Sequence, residues 1–293
     1  MALFKRCYKL TLTINGKTKI YQELATSDVS LKIEFEVTAS VNGAFSNGTI
    51  TIFGLKQEDI AFLATNYNPQ NLQLKDSFVE LEAGYPDQMA MILSGNIYES
   101  EPNFTSADQS IRFKVMSGVQ NNLKKGASIA DSISKNATFR DICAKVASNN
   151  NLALKYDNKI PNKVIGDFAF QGTPYQQVMK LRELMPLSVN IAINNKTLEV
   201  TYTNSSSAKK MIISGDSGMI GTPKPTSTGC IVTILLNPML SVNTFVEIQS
   251  KKLPQLNELY RIIEIKHRGG NRSDNWHTEL TLTKAISWLM RIL

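Results

Sequence analysis

Hydrophobic and polar side chains alternate with a period of two through most of the first 120 residues. The clearest stretches are KLTLTI, with Leu10, Leu12 and Ile14 on one face, and LKIEFEV, with Leu31, Ile33, Phe35 and Val37. The same pattern recurs in FVELEAGY, with Val79 and Leu81, and in IRFKVMSG, with Ile111, Phe113 and Val115. Successive side chains of a strand point to opposite faces, so the pattern predicts antiparallel strands with one buried and one solvated face. We therefore predict a β-barrel or β-sandwich over residues 1–120. Within it, LKQEDIAFLAT places Leu55, Ile60 and Leu63 at nearly helical spacing and predicts one short helix.

From about residue 121 the hydrophobic period changes to that of a helix. NATFRDICAKVASNNN offers Thr138 as an N-cap, and its apolar face comprises Phe139, Ile142, Cys143 and Val146. The strand LALKY follows this helix. The change of period indicates a second structural unit.

A second helix is predicted in GTPYQQVMKLRELMP. Thr173 is its predicted cap, Pro174 its first residue and Pro186 its end, and Val178, Leu181 and Met185 form its buried face. The strand SVNIAI follows, and a hairpin is predicted around Asn194 and Asn195. Residues 121–207 are therefore predicted to form a small α+β module, which ends in the polar linker TNSSSAKK (203–210).

Strand-like alternation returns after this linker. The predicted strands are GCIVTILL, TFVEIQS, YRIIEIKHRGG and WHTELTLTKA, with a short apolar tail from Trp288 to Leu293. Between the first two, Asn237-Pro238 predicts a corner, because proline cannot donate a hydrogen bond to a strand ladder. The predicted fold class is α+β but mostly β, with a strand domain at 1–120, the α+β module at 121–207 and a second strand domain at 208–293.

Composition and charge set limits on what this chain does. Of its 293 residues 42% are hydrophobic and 19% charged, which is enough to build packed cores. There is no apolar run of about 18 residues to span a membrane and no export signal at Met1. The net charge of the chain is +7, to which residues 1–120 contribute −3, residues 121–210 contribute +7 and residues 211–293 contribute +3. The lysines of the middle segment are dispersed, so a solvated or partner-facing surface is favoured over a nucleic-acid site.

Residues that could carry out catalysis are sparse. No GxSxG motif or phosphate-binding loop is present. His267 and His277 flank a predicted hairpin loop and could face each other as a metal pair, but no cluster of further ligands accompanies them. The carboxylate pairs Glu34/Glu36 and Glu80/Glu82 fall on the polar faces of strands, which indicates solvated surfaces. Cys7, Cys143 and Cys230 are predicted to be buried thiols. We assign no catalytic, cofactor-binding or metal-binding residue.

The order of several short motifs resembles that of a known family. These motifs are Gly218-Met219-Ile220-Gly221 with Pro223, Gly229 before a strand, Leu236-Asn237-Pro238, Tyr260-Arg261, His267, and Trp276 before Thr-Glu-Leu. Together they resemble the C-terminal half of baseplate hub proteins of tailed bacteriophages, especially contractile-tailed ones. TIFGLKQEDIAFLA and VELEAGYPDQMAMILSGNIYES are similar to the N-terminal barrel of that family, and the two helical segments to its middle module. One departure is Asn243, where a glycine would be expected in the turn.

The resemblance implies a structural protein without enzymatic activity, cofactor or metal. Its two β-barrels would be related to tail-tube protein and would flank the α+β module. A homotrimer would then present six barrels, which match a six-fold tube on one side and a three-fold spike on the other. The implied partners are two further copies of the chain, the tail tube or tube-initiator protein, the central spike protein, other baseplate proteins and the tape measure protein. Genome DNA would pass through the channel without sequence-specific binding. The protein would be made in the host cytoplasm and reside in the baseplate of the virion tail.

Two alternatives from other functional classes stay open at the level of sequence. One is a tail-associated cell-wall hydrolase, which would require a carboxylate whose mutation abolishes turnover of peptidoglycan. The other is a glycan-binding or nucleic-acid-binding module centred on residues 121–210, which would require salt-sensitive binding by that fragment.

Overall fold

The computed structural model describes residues 5–14, 16–26, 30–41, 46–64, 77–104, 109–117, 131–133, 136–172, 174–185, 189–194, 197–202 and 211–284. They form a mostly β protein with few helices. The first strand region contains β1 (Cys7–Ile14), β2 (Lys17–Glu23), β3 (Ile33–Ser40), β4 (Asn47–Phe53), α1 (Gln57–Ala64), β5 (Ser77–Tyr85), β6 (Gln88–Asn103) and β7 (Ser110–Met116). The middle region contains β8 (Asp131–Ile133), α2 (Phe139–Asn149), β9 (Ala153–Tyr156), β10 (Phe168–Phe170), α3 (Pro174–Glu183), β11 (Val189–Asn194) and β12 (Thr197–Tyr202). The second strand region contains β13 (Met211–Ser214), β14 (Met219–Pro225), β15 (Gly229–Leu235), β16 (Phe245–Gln249), β17 (Leu259–Gly270) and β18 (Trp276–Lys284).

The alternating stretches of the sequence form the expected strands. β1 buries Leu10, Leu12 and Ile14, and β3 buries Ile33, Phe35 and Val37, with the intervening positions more exposed, whereas Leu31 precedes β3 and is partly buried. The predicted short helix is α1, in which Ile60 and Leu63 are buried. The strands that were not predicted are β2, β4, β6, β8, β10, β13 and β14.

The helix start signals of the middle region are confirmed where the structure describes them. Thr138 caps α2 in a capping box, since its hydroxyl accepts from the Asp141 N–H and the Asp141 carboxylate accepts from the Thr138 N–H. α3 begins at Pro174, as predicted, and its Val178 and Leu181 are buried. Thr173, Pro186, the turn after Asn194, the linker at 203–210 and the tail after Lys284 lie outside the described residues, as do the predicted domain boundaries at 120 and 207.

The two strand regions form one continuous sheet, in which thirteen described strands take part. Its main path runs β14-β15-β18-β17-β3-β4-β7-β6-β5-β1-β2, and β16 and β13 branch from β17. The sequence predicted two separate strand domains, and their joining is a feature that it did not reveal. The physical reason is the length of β17: β16 pairs with it only at Leu259–Arg261, so the remainder of that edge is available to β3.

Each region has its own group of buried hydrophobic side chains. The first group fills the first strand region, the second lies between α2, α3 and the β9–β12–β11 sheet, and the third fills the second strand region. Leu236 and Trp276 belong in sequence to the second strand region but pack in the first group. Cys7, Cys143 and Cys230 are buried and free, as predicted. No helix of the described residues has the length and apolar character needed to cross a membrane.

Candidate functional site

The junction between β3 and β17 joins the two strand regions. The antiparallel ladder runs from the pair Ser40–Glu264 to the pair Glu34–Gly270. The Val41 N–H extends it by donating to the Ile263 carbonyl at 2.9 Å. On the exposed face Arg268 Nε donates to Glu36 Oε2 at 2.7 Å, across 232 residues of sequence. The junction is therefore a full ladder rather than a contact between two independent surfaces.

Aromatic side chains pack on the other face of this ladder, above a glycine. The Phe35 and Trp276 rings meet edge to face with centroids 5.5 Å apart. Arg6 covers the indole, with its guanidinium 5.7 Å from the ring centroid, and donates to the Gly270 carbonyl at 2.7 Å. A Cβ at position 269 would lie 2.1 Å from Phe35 Cζ, so only glycine leaves room for the Phe35 ring. The packing therefore depends on residues from both ends of the chain.

Replacing Gly269 with alanine should lower the free energy of unfolding by about 1–3 kcal/mol, because the added methyl group displaces Phe35 from its place against Trp276. Chemical denaturation of the purified protein measures the change. Gly215→Ala is the matched control, since a Cβ at position 215 meets no heavy atom within 4 Å. Equal losses for the two variants would contradict the packing described.

The predicted corner at Asn237-Pro238 lies at one end of the same junction. β15 ends at Leu235, and Leu236 turns into the first hydrophobic group. The Asn237 N–H donates to Thr278 Oγ1 at 3.0 Å, and Asn237 Oδ1 accepts from the Met239 N–H at 3.0 Å, which closes an Asx turn. The corner thus redirects the chain across the junction, where the following residues line a cavity of about 150 Å³ together with Val37, Ala39, Ala192, Ile193 and His267.

The turn after the corner explains the departure at Asn243. Asn243 has φ 67°, in the left-handed region that glycine adopts freely and asparagine tolerates better than most residues. Its Oδ1 accepts from Arg261 Nη1 at 3.3 Å. Asparagine therefore takes the place of the expected glycine and adds a side-chain hydrogen bond.

The two histidines do not face each other. His267 is opposite Thr278 and His277 is opposite Arg268, so the imidazoles project from opposite faces of the sheet. His267 Nδ1 lies 2.9 Å from Thr278 Oγ1, and burial lowers the pKa of His267 to about 4, which keeps the ring neutral at neutral pH. Within the described part of the chain, no group of three or more His, Cys, Asp or Glu side chains is placed to hold a metal ion.

The carboxylates singled out in the sequence lie on partly exposed strand faces, where ion pairs with basic side chains form. Glu36 pairs with Arg268, Glu34 with Lys32 at 3.1 Å, and Glu82 with Lys9 at 3.3 Å. These are pairs of the kind that contribute little to stability.

The structure brings together only part of the motif set. Leu236, Asn237, Pro238, His267 and Trp276 meet at the junction, whereas Gly218 to Pro223 form the outer strand β14 and the turn before it. Sequence reasoning missed Arg6, Phe35 and Gly269 as members of the junction. The one available signal was the Gly269-Gly270 pair at the end of a strand, which often marks a close approach of another group.

Comparison with known proteins adds a family and a fold. Residues 8–282 match the protein family described as baseplate hub gp41. The 43 kDa tail protein of prophage MuSo2 from Shewanella oneidensis has a similar structure, with a TM-score of 0.64, 12% identity, and coverage of 94% of this chain and 98% of that one. A tail protein from Neisseria meningitidis MC58 gives a TM-score of 0.64 at 10% identity, covering 96% and 98%.

A third similar structure comes from a secretion system. The E. coli c3393 protein, described as a type VI secretion component with structural similarity to the T4 bacteriophage tail proteins gp27 and gp5, gives a TM-score of 0.56 at 10% identity, covering 89% of this chain and 76% of that one. At these identities the likeness concerns the fold. No curated protein sequence matches this chain.

Proposed function

Since this chain belongs to the baseplate hub gp41 family, we propose that three copies of it form the ring that adapts a six-fold tail tube to a three-fold central spike. Membership of the family makes it a structural, non-enzymatic protein of the phage tail baseplate. The trimer, the tube and the spike are the proposal. The similarity to c3393, whose own resemblance is to phage tail proteins, supports it.

The observation that carries this proposal is a repeated strand order. In the first strand region the order is β3-β4-β7-β6-β5-β1, and in the second it is β14-β15-β18-β17-β16-β13. Each strand of the first series corresponds to one of the second at the same place in chain order. The series differ in their last pair, because β1 and β5 are antiparallel whereas β13 and β16 are parallel. One chain therefore presents two similar units, and three chains would present six.

The proposed ring assigns a place to each partner. One rim would meet the tail tube or tube-initiator protein, and the other would meet the central spike. Further baseplate proteins and the tape measure protein would contact the remaining surface. DNA would pass through the centre without sequence-specific contacts, and synthesis would take place in the host cytoplasm.

Counting chains in the assembled particle tests the proposal. Electron microscopy of the tail, or native mass spectrometry of a complex with the spike, should give three copies, with interfaces above roughly 2,000 Å² each as in other obligate assemblies. Six copies per tail, or one, would overturn the adaptor mechanism.

A further inference from the structure

The repeat extends to an irregularity in the long strands β6 and β17. β6 has a one-residue bulge against β7 between Ile97 and Glu99. β17 has the same bulge against β18 between Ile262 and Glu264. Bulges fix the register of a strand, so these two positions align the halves of the molecule residue by residue.

The alignment extends from β6 and β17 to the neighbouring strands, along residues that are paired from strand to strand. In the first strand region the row is Glu99, Lys114, Thr49, Glu36, and in the second it is Glu264, Thr281, Ile231, Lys224. Lys224 on β14 therefore occupies the position of Glu36 on β3. By the same count along the long strands, Asn103 on β6 occupies the position of Arg268 on β17.

The two strand regions differ in whether a described strand covers the corresponding edges of β17 and β6, and of β3 and β14. Residues 264–270 of β17 pair with β3, which itself pairs with β4 on its other side. Beyond Asn96, β6 pairs with β7 alone among the described strands, and β14 pairs with β15 alone. Among the strands that the structure describes, none covers the edge of β6 that corresponds to the covered edge of β17, and none covers the edge of β14 that corresponds to the covered edge of β3.

Prolines limit how these two edges can bond. Alternate residues of β7 direct their backbone groups to opposite neighbouring strands. The Ser117 N–H bonds to the Ser46 carbonyl on the β4 side, so the residues an odd number of positions away, which include Ser110 and Arg112, face β6. Pro102 therefore points its backbone away from β7. On β14 the Thr226 N–H bonds to the Gly229 carbonyl, so Pro225 and Pro223 point outwards. These outward prolines offer carbonyls but no donors, which protects both edges from unspecific strand pairing.

Exposed apolar side chains lie at both edges. Tyr98 and Phe104 flank the uncovered part of β6 and are 41% and 54% exposed, and Ile220 on β14 is 46% exposed. They are three of the exposed large apolar side chains of the described residues, and each is next to one of the two edges. Glu99 and Glu101 of β6 are paired with Lys114 and Arg112 of β7, and Lys224 is the charged residue of β14.

We propose that β14 of one copy lies against the second half of β6 of the next, in the place that β3 takes beside β17 within the chain. This interface rests on the proposed ring of three and identifies the surfaces that close it. Lys224 of one copy then lies opposite Asn103 of its neighbour, as Glu36 lies opposite Arg268. Side chains carry more of this contact than they do at the β3–β17 junction, because prolines interrupt the ladder.

A disulfide across the predicted pair tests the interface. The full-length variant Asn103→Cys with Lys224→Cys is oxidised at high protein concentration and run on a non-reducing gel and in native mass spectrometry. We expect covalent dimers and a closed ring of three chains, since opposed residues of an antiparallel pair without mutual backbone bonds bring their Cβ atoms close enough to bridge. The native cysteines are buried, so the wild-type background should be low.

The chain supplies its own controls. Glu36→Cys with Arg268→Cys is the equivalent pair within one chain and should oxidise without linking copies. Lys17→Cys with Lys224→Cys tests β2, the other end of the sheet, and should not link copies. If the intrachain control oxidises and the Asn103/Lys224 variant does not link copies, the interface is overturned, and a link through Lys17 also overturns it.

The outcome for the interface is separable from that for the ring. A three-copy wild-type assembly without an Asn103–Lys224 link would leave the adaptor standing and reject these edges. A wild-type protein that never assembles as three copies, even with the spike, would reject the adaptor and the interface together.

Discussion

Replacing Trp276 with alanine should lower the free energy of unfolding by about 3–5 kcal/mol, among the largest effects expected of a single core substitution. The indole is only 4% exposed and packs edge to face against Phe35, so its removal leaves a cavity between the two strand regions. It also removes the surface under the Arg6 guanidinium. Denaturant unfolding of the purified chain, followed by circular dichroism, measures the loss.

Trp276→Phe is the matched control for this substitution. It keeps an aromatic ring against Phe35 and should cost clearly less than Trp276→Ala. Combining Trp276→Ala with Phe35→Leu should also give a non-additive change, since the two rings are in contact. Similar losses for the alanine and phenylalanine variants, or simple additivity of the pair, would mean that Trp276 does not couple the two regions through its ring.

Replacing Leu181 with alanine should lower the free energy of unfolding by about 2–5 kcal/mol. Leu181 is fully buried in α3, within the hydrophobic group that holds the helices of the middle region against their sheet. Truncation would therefore remove apolar contacts and leave a cavity beneath the helix. The same denaturant experiment applies, with thermal unfolding as a second measurement.

Lys180→Ala is the control for Leu181→Ala, because Lys180 precedes Leu181 in the same helix. Lys180 is exposed, and its Nζ donates to the Ala169 carbonyl at 3.2 Å at the surface, so the change should be within about 0.5 kcal/mol of neutral. Equal thermal shifts for the two variants would show that the buried face of α3 is assigned wrongly.

Local patterns in the sequence were enough to identify many individual elements. The alternation of Leu10, Leu12 and Ile14 predicts β1 because a strand with one wet face needs nothing beyond its own residues to show its period. Thr138 likewise predicts the start of α2 as its N-cap, and the structure adds its reciprocal hydrogen bonds with Asp141 within a single turn. These signals are short-range, and tertiary structure did not override them.

Two of the missed strands, β6 and β14, show only a weak period of two in the sequence. β6 is buried on both faces over much of its length and contains a bulge, so its residues show no period of two. β14 carries one glycine and two prolines at alternate positions and has a register shift, and these residues resemble turn chemistry in the sequence. The residues on which the proposed interface depends therefore lie where local patterns are weakest.

Some residues of the candidate site were singled out in the sequence, and others could be assigned only from the structure. Leu236, Asn237, Pro238, His267 and Trp276 were singled out in the sequence because their order resembles that of a family, yet no pattern said that they meet. Arg6 and Phe35 could not be assigned to the site, because their proximity to Trp276 depends on the pairing of β3 with β17.

The sequence by itself determined the strand-rich class, the helical middle segment, the cap of α2 and the corner, because each follows from the spacing of neighbouring residues. Only the tertiary structure decided that the two strand regions share one sheet, and it gives the strand order that they repeat. It also decided that Gly269 must leave room for Phe35. Partners such as Glu36 and Arg268 are 232 residues apart, and their register is set by the length of β17 and by which of its edges remains open after β16 has paired.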